Sequence, residues 1–260
     1  MGAESVTVCF TGNPNCGKTT LFNAYTGAGK KTANWPGVTV ALSEGSLMHR
    51  GRLVHLVDTP GIYSLDPYTM EETVTRQCIR DQKADVIIHV ADALLLERSL
   101  FLTMQLLVEG KPLVLALNMM DLVRERGMDI DIGRLSRLLG GIPVIPVSAR
   151  RRTGLEELMD AAVEAARARR MADGSGRFVS GARYSVYRSH SAHSDGPAYG
   201  DGPSGSGGSW HGPVSARELH DRARQLAAAC IRYRGSPAQN KRNTDPSVGR
   251  VLDSFTDRAD

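Results

Sequence analysis

The sequence predicts an α/β domain over residues 1–170, a mainly parallel sheet with helices on both faces, followed by a Gly/Ser-rich flexible insert at 171–213 and a small helical unit at 214–260. Three observations predict this. Short apolar runs alternate with helical patterns from residue 6 to residue 169, as parallel strands and their crossover helices require. A glycine-rich loop ending in Gly17-Lys18-Thr19 separates the first apolar run from the first helical pattern. Beyond Arg170 the apolar periodicity lapses.

Residues 6–11 form the first strand, which Gly12 ends, and 18–25 begin a helix. The strand at 53–57 ends at Asp58. Residues 85–91 are almost wholly apolar, as befits a central parallel strand covered on both faces. Apolar residues recur at helical spacing over 94–108. A strand follows at 112–117, a short helix at 132–139 and a strand at 142–147. Residues 155–169 form an amphipathic helix with Leu155, Leu158, Met159, Ala162 and Val163 on one side. Seven glycines between Gly196 and Gly212, mixed with serine and proline, give the insert its flexible composition. A helical pattern resumes over 215–233. Ser215 and Glu218 stand at capping-box spacing there, and Leu219, Ala223, Leu226 and Cys230 form a stripe. A second short helix is expected at 246–255.

Composition narrows the function. The chain has 260 residues, enough for one domain and a smaller unit, and a net charge of +4 with both signs mixed along its length. Such a charge calls for no nucleic-acid partner. Cys9, Cys16, Cys78 and Cys230 form no CxxC pair and suit neither a zinc site nor a disulfide framework, so they read as reduced, buried thiols. No stretch approaches the length of a membrane span, and the N-terminus reads as a strand without a signal-peptide pattern.

Gly12-Asn13-Pro14-Asn15-Cys16-Gly17-Lys18-Thr19, continued by Thr20, fits GxxxxGK[ST] between a strand and a helix. Its glycines let backbone N–H groups wrap a phosphate, and the helix N-terminus adds positive potential. Lys18 places a charge on the β- and γ-phosphates, and Thr19 offers a hydroxyl to Mg²⁺. Asp58-Thr59-Pro60-Gly61 puts a second Mg²⁺-directed oxygen at a strand end and an N–H near the γ-phosphate. Asn118-Met119-Met120-Asp121 follows the strand at 112–117. Asp121 can accept from both N1–H and the exocyclic amine of guanine, and Asn118 would tie this loop to the phosphate loop. Met119 stands where a lysine stem usually covers the base, and its flexible apolar chain can do the same. Ser148-Ala149-Arg150 follows the last strand and suits a loop that touches guanine O6 through a backbone N–H. Motifs in this order specify a P-loop GTPase that binds GTP/GDP with Mg²⁺. Cys16 reads as a small side chain that fits its loop.

With these motifs in place, Asn34-Trp35-Pro36-Gly37-Val38-Thr39-Val40 resembles the first switch of the ferrous-iron transport protein B (FeoB) family. The stretches 12–23 (GNPNCGKTTLFN), 58–65 (DTPGIYSL), 96–102 (LERSLFL) and 116–122 (ALNMMDL) are similar to it as well. The resemblance implies that Thr39 reaches Mg²⁺ when GTP is bound, with Gly37 and Val38 beside the nucleotide. It implies a K⁺ ion on Asn15 and on carbonyls near Trp35; the residues alone also allow Asn15 a loop-stabilising hydrogen bond, the less favoured of the two readings. Ile62 occupies the place of the water-orienting glutamine of many G proteins. Lys18, Asn15 and Thr39 are therefore the residues expected to act in hydrolysis, with water placed by backbone groups. Glu71 and Glu72 read as a solvated helix start. His190, His193 and His211 lack the fixed geometry of a metal site.

The resemblance further implies a membrane-embedded iron-transport domain of the same polypeptide as partner, at the cytoplasmic side of the bacterial inner membrane, and allows a homo-oligomer. Residues 251–260 resemble the approach to that family's first membrane span, while the earlier helices of its helical domain have no counterpart in 171–213. The rival reading is a soluble G protein of ribosome assembly or tRNA modification, which residues 171–260 do not support with an aromatic-studded basic surface.

Overall fold

The computed structural model describes residues 5–27, 31–34, 41–66, 68–80, 84–175 and 215–233. Strand β1 (Val6–Gly12) leads into helix α1 (Lys18–Thr26), then β2 (Lys31–Asn34), β3 (Ala41–His49), β4 (Arg52–Asp58) and α2 (Met70–Arg80). Next come β5 (Val86–Asp92), a 3-10 turn (Ala93–Leu95), α3 (Leu96–Val108), β6 (Leu113–Asn118) and α4 (Met120–Glu125). The order ends with β7 (Met128–Ile130), α5 (Ile132–Leu138), β8 (Val144–Pro146), α6 (Leu155–Ser175), α7 (Ala216–Cys230) and β9 (Ile231–Tyr233).

A seven-stranded sheet has the order β2-β3-β4-β1-β5-β6-β8. Pairing is parallel from β4 through β8 and antiparallel at β2–β3 and β3–β4. Alternation along the strands splits the core into two layers. Val8, Phe10, Ile88 and Ala116 face α1 and α6, where Phe22 and Met159 pack. Cys9, Ile87, Leu115 and Leu117 face the other side, against α2, α3, α4, α5 and α7. Each fully buried Leu, Ile or Phe contributes about 1.5–3 kcal/mol, so the central strands form a stiff base for the loops at their ends.

Most predicted strands and helices fall within a residue or two of their observed limits, with four departures. The sheet carries an antiparallel edge that the hydrophobic pattern did not announce. In β3 the half-buried positions are Ser43, Gly45, Leu47 and His49, too polar and small to read as a strand. The helix predicted from 155 to 169 continues to Ser175. The helical pattern over 215–233 holds only to Cys230: Ile231 turns extended, with ψ of 132°, and β9 pairs with β7. Ser215 does cap α7, accepting from the N–H of Glu218 at 3.2 Å, while the Glu218 carboxylate turns to Arg222. The fourth departure is at α2. Glu72 accepts from the N–H groups of Thr69 (2.9 Å) and Tyr68 (3.2 Å), and Thr69 Oγ1 accepts from Glu72 N–H, so this glutamate is a reciprocal cap and not a merely solvated one.

Helix α7 lies on α3. The rings of Phe101 and His220 stack with centroids 4.0 Å apart, Arg224 pairs with Glu97 at 3.1 Å, and Leu219, Ala223 and Cys230 share a core layer with α3. The four cysteines are buried and unpaired by disulfides, with Cys9 and Cys78 in contact. Among the described residues no helix is long and apolar enough to cross a membrane and no metal-binding cluster occurs. The helix expected at 246–255, residues 176–213 of the insert and His190, His193 and His211 lie outside the described residues.

Candidate functional site

Parallel strands deliver their C-terminal ends to one edge of a sheet, and loops there can meet. Phe10 pairs with Asp58, Gly12 with Val90, and Asp92 with Asn118, which lines up the phosphate loop, Asp58 and Asn118 along that edge. The loop after β8 brings Ser148 and Ala149 to the same place.

The phosphate loop is tight because its glycines admit no side chain. A Cβ on Gly12 would stand 2.4 Å from the carbonyl oxygen of Val90, and one on Gly17, at φ 84°, 2.3 Å from Nδ2 of Asn118. Asn13 is buried; its Nδ2 donates to the carbonyl of Ile62 at 3.3 Å, and Ile62 N–H donates to the carbonyl of Gly12 at 3.1 Å. Thr59 donates from both its N–H and its hydroxyl to the carbonyl of Phe10. These bonds clamp Asp58-Thr59-Pro60-Gly61 against the phosphate loop, and Pro14 lies against Gly61. Asn15 is exposed, with a left-handed backbone at φ 64°. Cys16 is buried, and burial pushes its thiol up to about 11, so it carries no reactive thiolate at neutral pH.

Lys18 starts α1, and its ammonium donates to Asp58 Oδ1 and to the carbonyl of Thr59. Thr19 Oγ1 donates to the other carboxylate oxygen of Asp58 at 3.1 Å. One nearly buried cation, one carboxylate and one hydroxyl thus share a single point beside the helix N-terminus. Hard oxygen donors from Thr19 and Asp58 are of the kind Mg²⁺ takes. Thr20 is exposed in the first turn of α1.

The second half of the site is joined to the first by Asn118. Its Nδ2 donates to the carbonyl of Cys16 at 2.9 Å, and its Oδ1 accepts from Ala149 N–H at 3.0 Å. Met119 caps α4 in the left-handed region, at φ 65°, and its terminal methyl reaches to 4.0 Å from the position a Cβ on Gly17 would take. Asp121 sits in the first turn of α4 with its side chain 7% exposed. Burial raises its pKa, but the hydroxyl of Ser148, backbone N–H groups and the guanidinium of Arg151 outweigh that and hold it below the usual carboxylate range. Ser148 is buried and Arg150 exposed. Among the described residues the structure therefore brings together residues 12–19, 58–61, 118–121 and 148–149. Gly37, Val38 and Thr39 lie outside the described residues.

Sequence reasoning missed three contributors: Thr59 as the clamp on β1, Ile62 as the backbone partner of Gly12 and Asn13, and Arg151 on Asp121. Ile62 takes part only through its main chain, and Thr59 partly so, and main-chain bonds leave no signature in side-chain type. The third could have been suspected from the run Arg150-Arg151-Arg152 beside an acid-bearing helix.

The model of the family described as Ferrous iron transport protein B matches residues 6–162. The Fe(2+) transporter FeoB of Legionella pneumophila (strain Paris) is 47% identical over 151 residues, which is 56% of this chain and 20% of that protein. The Fe(2+) transporter FeoB of Salmonella typhimurium is 43% identical over 159 residues, or 60% of this chain and 20% of that protein. The chain thus spans about one fifth of the length of these curated relatives. Among solved structures, the cytosolic domain of the T. maritima FeoB iron transporter in a GMPPNP form aligns with a TM-score of 0.60 and 42% identity, covering 62% of this chain and 64% of that one. A mutant S. thermophilus NFeoB bound to GDP aligns at 0.59 with 41% identity, covering 62% and 61%.

Proposed function

Since this chain belongs to the ferrous iron transport protein B family, we propose that it is the guanine-nucleotide switch domain that gates or powers ferrous-iron movement through a membrane-embedded domain of the same polypeptide, at the cytoplasmic side of the bacterial inner membrane. The observation that carries the reading is Asn118, which bonds the phosphate loop at Cys16 and the base-side loop at Ala149, so that one side chain ties the two halves of the site together. The family match favours this over a ribosome-assembly or tRNA-modifying G protein.

Binding follows from the residues. Backbone N–H groups of residues 15–18 and the α1 N-terminus receive the phosphates. Lys18 exchanges Asp58 and the Thr59 carbonyl for β- and γ-phosphate oxygens. Asp121, kept ionised, accepts from the two guanine donors, and Met119 lies along the base. Thr19 and Asp58 would hold Mg²⁺, with Thr39 joining them in the triphosphate state, and Asn15 would hold K⁺. When bound, these ions supply positive charge against the charge that develops on the phosphoryl oxygens. Ile62 is buried and has no polar side-chain atom, so main-chain groups orient the attacking water. Gly61 and Thr39 are the residues that respond to the γ-phosphate, which makes the segments around them the switches.

The test is ferrous-iron uptake by cells lacking other routes, using the full-length gene with Lys18→Ala or Thr39→Ala. Loss of uptake at normal protein levels is expected for both; normal uptake by both disconnects nucleotide from transport. Turnover of GTP by the chain alone separates a hydrolase from a switch that only binds.

A further inference from the structure

Resting on the reading that Asp121 takes guanine, we propose that Arg151 is a positioning residue for base recognition, holding the Asp121 carboxylate in the orientation that accepts both guanine donors. Asp121 and Glu125 are four residues apart on α4 and so share a face. Arg151 bridges them: its Nε lies 3.3 Å from Asp121 Oδ2, and its Nη2 donates to Glu125 Oε1. The Asp121 side chain is 7% exposed, whereas those of Arg151 and Glu125 are 58% and 54% exposed. An exposed guanidinium thus contacts a carboxylate whose own side chain is shielded from solvent.

Two further observations give this bridge a task. A cavity of about 240 Å³, lined by Met120, Asp121, Arg124, Glu125, Arg151 and Thr153, flanks the pair. Packing alone does not wedge the carboxylate on that side, so a directed contact must hold it. Arg151 also touches Ser148, whose hydroxyl lowers the Asp121 pKa, since the Arg151 backbone N–H donates to Ser148 Oγ at 3.1 Å. The loop does not depend on the Arg151 side chain for its shape. Ser148 and Thr153 pair through backbone bonds of 3.1 and 3.2 Å, and Arg152 donates to the carbonyl of Ala24 at 2.9 Å.

A carboxylate that turns loses the bidentate fit to guanine before it loses a single contact. Inosine diphosphate, which lacks the 2-amino group, makes one of the two contacts, so the ratio of the IDP and GDP dissociation constants reports the orientation of Asp121. Both constants are measured by calorimetric titration of this chain and of Arg151→Ala and Glu125→Gln. Wild type is expected to prefer GDP. Arg151→Ala should lower that preference about three- to fivefold, the reach of a partly exposed ion pair, and Glu125→Gln should lower it by a smaller factor. Arg151→Ala with the wild-type ratio, whatever its absolute affinities, overturns the proposal, because a mere loop staple weakens both ligands alike. A raised ratio overturns it too, since the guanidinium would then compete with the base. No GDP preference in wild type removes the Asp121 base reading itself, and this inference with it.

Discussion

Replacing Lys18 by methionine is expected to have two separable effects, a less stable protein without nucleotide and a lost affinity for GTP. The Lys18 and Asp58 side chains are 8% and 6% exposed. Removing one partner of a buried ion pair costs about 3–5 kcal/mol, because the other charge stays buried without compensation. Asp58 keeps the hydroxyl of Thr19 at 3.1 Å, which places the loss near the lower end, about 3 kcal/mol. A domain stable by roughly 5–15 kcal/mol survives this, with Tm lowered by roughly 6–12 °C at the usual scaling for this size. The double variant Lys18→Met with Asp58→Asn should recover most of the loss, since replacing both charges of a buried pair is close to neutral. It should not recover GTP affinity, because the charge that meets the β- and γ-phosphates is still missing. Urea unfolding without nucleotide measures the first effect, and titration with a slowly hydrolysed GTP analogue measures the second. Wild-type stability in Lys18→Met would refute the buried pair. Unchanged analogue affinity would refute the phosphate-loop reading.

Asp121→Asn should cost guanine several kcal/mol, roughly the penalty of unpaired buried donors, and should shift preference toward xanthosine triphosphate; equal GTP affinity in the variant would sink base recognition by this residue. Hydrolysis should be faster in K⁺ than in Na⁺ at matched ionic strength, and Asn15→Ala should erase the difference; cation-independent rates would leave K⁺ without a role. His89 is fully buried on β5, and burial lowers its pKa to about 3, so it stays neutral in the folded protein. The unfolded chain takes up that proton near pH 6.5, so the stability is complete above that pH and falls by about 1.4 kcal/mol per unit below it. Between pH 6.5 and 4.5 wild type should therefore lose about 2–3 kcal/mol more than His89→Gln, and equal slopes in urea unfolding would disprove this.

The strands that carry the site were legible because they are buried on both faces, and nearly continuous apolar runs such as that of Val86–Asp92 have few other readings. The loops between them were legible because GxxxxGKT and DxPG constrain backbone shape as well as chemistry. Toward the antiparallel side of the sheet the signal fades: β3 buries Leu42, but its half-buried positions are Ser43, Gly45, Leu47 and His49. Strand β9 was read as the end of a helix because Cys230 and Ile231 continue the apolar stripe, and periodicity cannot register the partner strand, Met128–Ile130, a hundred residues earlier. Long-range pairs such as Lys18 with Asp58 are suggested by motif order. The reciprocal cap of Thr69 and Glu72 was in principle readable, since it is a T-x-x-E ahead of a helix.

Helix α3 gives the proposed switch a physical way to reach the rest of the chain. The segment that follows Gly61 is not free: Leu65 N–H donates to Gln105 Oε1 at 3.0 Å, Gln105 Nε2 donates to Ser64 Oγ at 3.0 Å, and the Arg98 guanidinium lies 4.1 Å from the centroid of the Tyr63 ring. Arg98 and Gln105 lie two turns apart on α3, so the helix grips that segment at two points. The same helix carries Glu97 and Phe101, which hold Arg224 and His220 of α7. A thirteen-residue helix with Leu100, Leu102 and Leu106 fully buried is too tightly packed to bend between these contacts. If γ-phosphate draws Gly61 inward, Tyr63 to Asp66 must either leave Arg98 and Gln105 or carry α3 with them. In the second case α7 is drawn along by its packing on α3, against its other contacts to α5 and, through β9, to β7. The discriminating quantity is the strength of the grip at Gln105 against that of the aromatic stack at His220. Two neutral hydrogen bonds and a cation–π contact, each about 0.5–1.5 kcal/mol, face a stacked ring pair of similar size and a partly exposed ion pair worth less. The grip on the loop is therefore the stronger of the two polar sets, but α7 also shares buried core with α3 through Leu219, Ala223 and Cys230, so a pull on Tyr63 to Asp66 moves α3 and α7 together before it separates them.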